Sequence, residues 1–273
     1  MRKEMYGIAV TEVHSADGAV AVAADHGAHL LSWTPPGGAD RLYLSETSQY
    51  GFDASIRGGV PIIFPQFSTH GTGKRHGFVR NRAWQAGFAG VEAGKGVLRY
   101  QLEGDASWPN DFRLDYEIVF DANELRLNLT VANVSDHEWA FSAALHTYFS
   151  VADLENVVVD GLQGLRYLDR PVGEVERTQQ EAQLRIAGET DRIYAAARAP
   201  LTLSDGIKSL RISKVGFDDV VVWNPGVEMA AGLADVAPGD AERFLCIEAG
   251  AILQPVRLAP GAVWRGAQIV TVV

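Results

Sequence analysis

Apolar and polar residues alternate with a period of two in run after run of this 273-residue chain, and each run is closed by Gly, Asp, Asn or Pro. Residues 97–102, 113–120 and 124–131 show it most clearly, with apolar side chains on one parity and charged or polar ones on the other. That is the period of a strand with one buried and one wet face. Further candidates are 138–151, 156–159, 201–203, 209–212, 219–223, 243–248 and 262–273. So many short strands without interleaved helices predict an all-β chain, folded as a large antiparallel β-sandwich. Residues 174–186 are the one helix-compatible stretch; being short and highly charged, they serve equally as a loop crossing from one half of the sandwich to the other. The PPGG sequence at 35–38 is turn chemistry, and no linker or repeat divides the chain, so 1–273 is expected to form a single domain.

A hydrophobic content of 47% with 21% charged residues suits a chain that fills its own core. The formal net charge of −10 opposes nucleic acid and anionic membranes, and neither is expected as a partner. No stretch approaches the ~18 apolar residues of a membrane span, and Met1, Arg2 and Lys3 lead straight into Glu4 without an apolar leader segment. The expected setting is the cytoplasm, and the expected state a monomer. Cys246 is the only cysteine, so it forms no intrachain disulfide or cysteine-based metal site. The seven histidines are scattered rather than set at ligand spacing, and neither metal nor cofactor is expected. Two glycosylation sequons, at Asn128 and Asn133, fall in strand-like sequence and read as chance matches.

Residues 54–91 contain no Asp or Glu although the chain is acidic, while Arg57, Lys74, Arg75, Arg80 and Arg82 all fall there. The same window is rich in Gly and Pro, so its backbone turns repeatedly and aims side chains into a cleft. Any one of these arginines could equally serve a surface carboxylate. Arg57 and Arg80 acting together read as an anion site, because a planar guanidinium matches phosphate or carboxylate oxygens bidentately.

In 138–149 the alternation puts Trp139, Phe141, Ala143, Leu145, Thr147 and Phe149 on one face and Ser142, Ala144, His146 and Tyr148 on the other. The second face is small beside His146, which leaves room for a ligand, and a histidine titrates where proton transfer needs it. A histidine satisfied inside a core is the competing reading. Glu248 stands alone in an apolar strand, where a carboxylate is costly to bury unless partnered or used; an exposed edge position would remove the cost. Asp191 is weaker, since loop aspartates commonly cap turns.

With IRGGVPIIFPQ at 56–66, HGFVRN at 76–81, ALHTYF at 144–149, VVDG at 158–161, DRIY at 191–194, VWNP at 222–225 and CIEAG at 246–250, the sequence resembles the glucose-6-phosphate 1-epimerases (hexose-6-phosphate mutarotases). These are a branch of the aldose 1-epimerase superfamily with a galactose-mutarotase-like β-sandwich. The blocks run nearly end to end and in the family's order. The resemblance implies His146 as general acid and Glu248 as general base, with Arg57, His76, Arg80 and Asp191 binding substrate. The position before His76, usually glutamine in the family, is Arg75 here; it is carried as a binding residue. The tryptophan that often follows Trp-Asn-Pro is Gly226, and lysine-like positions downstream are Met229 and Ala231.

The expected reaction is interconversion of the α and β anomers of a hexose 6-phosphate, glucose 6-phosphate foremost, through opening and reclosing of the ring. An epimerase for an unphosphorylated aldose and a sugar-phosphate binding protein without turnover are the alternatives. A glycosidase would need two carboxylates flanking the bond, and the strand motifs supply one.

Overall fold

The computed structural model describes residues 1–51 and 54–273. Antiparallel strands make up three sheets. The first consists of β1 (Arg2–Met5), β2 (Ile8–His14), β3 (Val20–Ala24) and β4 (His29–Thr34) in sequential order. The second runs β14 (Val175–Thr178), β13 (Arg166–Asp169), β16 (Thr190–Tyr194), β19 (Asp219–Asn224), β20 (Phe244–Leu258), β10 (Trp139–Leu145) and β5 (Ile62–Ile63), and β11 (Tyr148–Ser150) also pairs with β20. The third runs β15 (Gln183–Arg185), β12 (Val158–Asp160), β17 (Leu201–Ser204), β18 (Ser209–Val215), β21 (Val263–Val272), β9 (Glu124–Asn133), β8 (Phe112–Phe120), β7 (Lys95–Glu103) and β6 (Gln85–Glu92).

The second and third sheets close on one another over a core that all three sheets share. Val13, Ala21 and Trp33 of the first sheet, Phe141, Leu145 and Ile247 of the second, and Tyr116, Leu127 and Val270 of the third lie in one apolar cluster. Alternation accounts for the best-read strands. On β8 the residues Phe112, Leu114, Tyr116, Ile118 and Phe120 are buried and the intervening ones partly or fully wet. β3 was not anticipated because four of its five residues are buried in succession, and β6 because almost its whole length is exposed at a sheet edge; neither alternates.

Residues 174–186 form no helix. Their strand β14 belongs to the second sheet and β15 to the third, so the segment does cross between the halves of the sandwich. The one α-helix among the described residues, α1 (Gly226–Ala230), was not expected. The expected strand 138–151 is interrupted: β10 ends at Leu145 and β11 starts at Tyr148, which leaves His146 and Thr147 in the gap.

Candidate active site

The gap is in the hydrogen-bonded ladder and not in the register. Leu145 faces Ala249 and Tyr148 faces Cys246, so the same register sets His146 directly opposite Glu248 on β20. The His146 amide faces the other way and donates to the carbonyl of Pro61 at 3.0 Å, in register with the pairing of β10 to β5; the amide that leaves β20 is that of Thr147, which donates to the Leu145 carbonyl. His146 Nε2 stands 3.3 Å from Glu248 Oε1. The imidazole stacks on the Tyr148 ring, with centroids 4.8 Å apart, and meets the edges of Trp223 and His76. Both groups are buried, and His146 Nδ1 and Glu248 Oε2 have no hydrogen-bond partner among the described residues. Unpartnered buried polar atoms are costly and mark a place where something else is to bind.

Above this pair opens a cavity of about 280 Å³, lined among others by Arg57, Arg75, His76, Arg80, Arg170 and Asp191. Two cavities of about 480 and 410 Å³ lie elsewhere, one beside Tyr167, Ile193 and Asp219, the other on the outer face of the third sheet around Arg99 and Glu117. Volume does not choose between them. Only the smallest of the three brings an imidazole, a buried carboxyl and several guanidinium groups together.

The arginines differ in how they are held. Arg57 sits on a turn formed by Gly58 and Gly59, both at positive φ; a Cβ on Gly59 would lie 2.2 Å from the Leu30 carbonyl oxygen. His29, buried beneath, meets the Gly58 carbonyl at 2.8 Å through Nε2. The Arg57 side chain donates from Nε and Nη2 to the two oxygens of Asp235, at 3.1 and 3.2 Å, and from Nη1 to the Tyr148 hydroxyl at 3.0 Å. Burial opposes its charge, but Tyr148 and Asp235 together hold its pKa above the usual value. Arg80 has no such partner. Among the described residues it forms no ion pair, its Nε is buried without a hydrogen-bond partner, and burial brings its pKa down to about 10. Arg75 is exposed at the rim, and its carbonyl lies 3.5 Å from Arg80 Nη2.

His76 occupies the left-handed region with φ of 62°, as does Ser68 with 49°, a conformation that costs energy for residues other than glycine. The two hold one another: the His76 amide donates to the Ser68 carbonyl, and the Ser68 amide donates to His76 Nδ1 at 3.3 Å. With Nδ1 accepting, the neutral ring carries its proton on Nε2. Burial, then the charges of Arg80, Arg75, Arg170 and Arg57, push its pKa down to about 2, so His76 is a neutral donor. Arg170 reaches both oxygens of Asp191 from Nη1, the nearer at 3.0 Å, and donates from Nη2 to Ser68 Oγ at 2.8 Å. Burial raises the Asp191 pKa, and Arg170 opposes that.

The catalytic candidates are electrostatically matched. Burial, followed by His76, Arg80 and Arg57, drives His146 well below the usual histidine range. Burial, followed by the charge of Asp191, drives Glu248 well above the usual carboxylate range, with Arg170 and Arg80 opposing. Burial thus favours the neutral imidazole and the protonated carboxyl.

All seven residues singled out in the sequence line this one cavity. Two other members of the basic window do not: Arg82 pairs with Asp105, and Lys74 is exposed. Sequence reasoning missed Arg170, which no motif marks, and Asp235, which reaches Arg57 across 178 residues. Among the described residues no group of three His, Cys, Asp or Glu side chains stands where it could hold a metal ion, and no helix is long and apolar enough to cross a membrane.

The family model for aldose 1-epimerase matches residues 10–271. The chain belongs to the aldose 1-epimerase family. Similar proteins of this family include two named "Putative glucose-6-phosphate 1-epimerase". One, from Cenchrus ciliaris, is 31% identical over 88% of this chain and 78% of its own length. The other, from Escherichia coli K12, is 32% identical over 81% of this chain and 76% of its own. Among solved structures, a Salmonella typhimurium protein described as a "putative mutarotase (YeaD)" superposes with a TM-score of 0.91 at 28% identity, over 99% of this chain and 92% of that one. The expected sandwich is thus the aldose 1-epimerase fold, and the chain is an epimerase.

Proposed function

We propose that the substrate is a hexose 6-phosphate, with glucose 6-phosphate the first to test, and that His146 and Glu248 interconvert its anomers. The observation that carries this reading is a facing imidazole and carboxyl, 3.3 Å apart, beneath a half-buried arginine that no carboxylate neutralises among the described residues. Glu248 as carboxylate takes the proton of the anomeric hydroxyl, the bond from C1 to the ring oxygen breaks to leave an aldehyde, and His146 gives its proton to the ring oxygen. Rotation about the C1–C2 bond and the reverse transfers then form the other anomer. His146 and Glu248 need one proton between them. Neutral imidazole with protonated carboxyl, the pairing that burial favours, matches the open-chain stage; the shifted pairing matches the closed ring.

Phosphate recognition is assigned to Arg80 and Arg75, with Arg57 contributing the N–H groups that Asp235 and Tyr148 leave free. A phosphoryl dianion there cancels the positive charges that press His146 down, and so favours the imidazolium that ring opening requires. Asp191 and the Nε2–H of His76 are the proposed contacts to sugar hydroxyls. A second reading, an unphosphorylated aldose as substrate, draws on the compensation of Arg57 by Asp235 and of Arg170 by Asp191, which leaves fewer free cations than the lining suggests.

Magnetisation-exchange NMR of glucose 6-phosphate, glucose and galactose decides between them. Rapid exchange of the ester, slowed about 10²- to 10⁴-fold in His146→Ala, is expected. In Arg80→Met the affinity for the ester should fall about 10- to 100-fold, with little change for glucose. Glucose or galactose exchanging as fast as the ester would favour the second reading, and unchanged rates in His146→Ala would remove the catalytic assignment.

A further inference from the structure

We infer that Gln268, on the opposite sheet and out of reach of the cavity, is a positioning residue that sets the alignment of His146 with Glu248. This rests on the reading that those two residues carry the chemistry.

Gln268 lies on the inner face of β21 and is fully buried, one step from Val270 of the apolar core. An amide in such a layer is unfavourable unless its ends are bonded. Here both are. Its Oε1 accepts from the Thr147 hydroxyl, itself fully buried, and its Nε2 donates to the Ile247 carbonyl at 2.9 Å. The Ile247 amide in turn donates to the Thr147 carbonyl at 3.2 Å. The three residues close a ring across three backbone segments.

The ring's place in the fold gives it a consequence. Thr147 follows His146 and Ile247 precedes Glu248, and successive side chains point to opposite faces. Thr147 and Ile247 therefore turn into the core where the two catalytic candidates turn into the cavity. This is also where the ladder to β20 loses a bond: the Thr147 amide donates to the Leu145 carbonyl rather than to Ile247, and the Ile247 carbonyl accepts from Gln268 Nε2 in its place. On its β20 side the segment that carries His146 keeps the bond from the Ile247 amide to the Thr147 carbonyl but not the reciprocal one, and the glutamine clasp from the third sheet supplies the missing hold. A displacement of about 1 Å between reacting groups can cost on the order of 100-fold in rate.

The test compares Gln268→Leu, Thr147→Val, their double variant and Val270→Ala, with His146→Ala alongside, on whichever of glucose 6-phosphate, glucose and galactose the unaltered protein turns over. Gln268→Leu removes both bonds at nearly constant volume, and Thr147→Val removes one without changing shape. Each should lower kcat about 10-fold or more with KM within about two-fold, and the double variant should lose little beyond the worse single one. Val270→Ala, equally deep on the same strand, should lower the melting temperature without lowering kcat. Folded Gln268→Leu or Thr147→Val protein with unaltered kcat overturns the inference, as does a kcat loss in Val270→Ala that matches theirs at equal loss of stability. Should Gln268→Leu not fold, Thr147→Val alone decides in the same way. If His146→Ala is fully active, the underlying catalytic reading has failed; if it is inactive while Gln268→Leu is not, only the positioning role has.

Discussion

At the residue scale, the chemistry of the site depends on placing ionisable groups where water cannot help them. Glu248 is 1% exposed, and its carboxyl pKa is raised by burial. A carboxyl with a raised pKa contributes its full stability below its unfolded pKa and loses it as pH climbs toward the folded one. Glu248→Gln should therefore be more stable than the unaltered protein, by a margin that grows from pH 5 to pH 8, while anomer exchange is lost; melting temperatures across that range check this. His146 is displaced in the opposite sense, with Arg80 and Arg57 among the causes. Saturating inorganic phosphate should move its titration upward in NMR, and much less in Arg80→Met. The choice of His146 and Glu248 was legible because each is a lone ionisable residue in apolar strand sequence. The state of Arg57 was not, because Asp235 lies in a distant segment that no local pattern connects to it.

At the scale of elements, strands that face core and solvent on alternate sides announced themselves, and those buried or exposed on both sides did not. The interruption between β10 and β11 could not be foreseen either, because the alternation from Trp139 to Phe149 continues unbroken across it. The turn that presents Arg57 was visible as a glycine pair but not in its demands. Gly59, at φ of 58°, packs against the Leu30 carbonyl and the His29 ring, with His29 Nε2 2.8 Å from where a Cβ would stand. Gly59→Ala should cost about 2 to 4 kcal/mol in chemical denaturation, from clash and left-handed strain together. Because the same turn carries Arg57, the variant should also bind a phosphate ester more weakly than its residual folded fraction explains, as calorimetry would show.

At the scale of the whole molecule, one core shared by three sheets supports the proposal that residues 1–273 behave as a single unit, with one unfolding transition seen alike by fluorescence and circular dichroism. Its stability should depend on acid in a way that His29 reports. Burial holds His29 down to about 4, against an ordinary value of 6.5. Above pH 6.5 neither state is protonated and nothing is lost. As pH falls from 6.5 to 4, the unfolded chain takes up a proton that the folded one refuses, and stability declines by up to about 3 kcal/mol. His29→Gln, which can still donate to Gly58 without titrating, should flatten the fall in melting temperature across that window. The sequence by itself determined that the chain is a β-sandwich of the aldose epimerase kind, and marked the histidine and carboxyl proposed as its acid-base pair beside a basic loop, because period and motif are local and survive without coordinates. Only the tertiary structure decided which arginines are neutralised, that His146 faces Glu248 across a broken ladder, and that Gln268 clasps the strands behind them. Those are contacts between residues far apart in the chain, and they arise from how the sheets close rather than from any run of neighbouring residues.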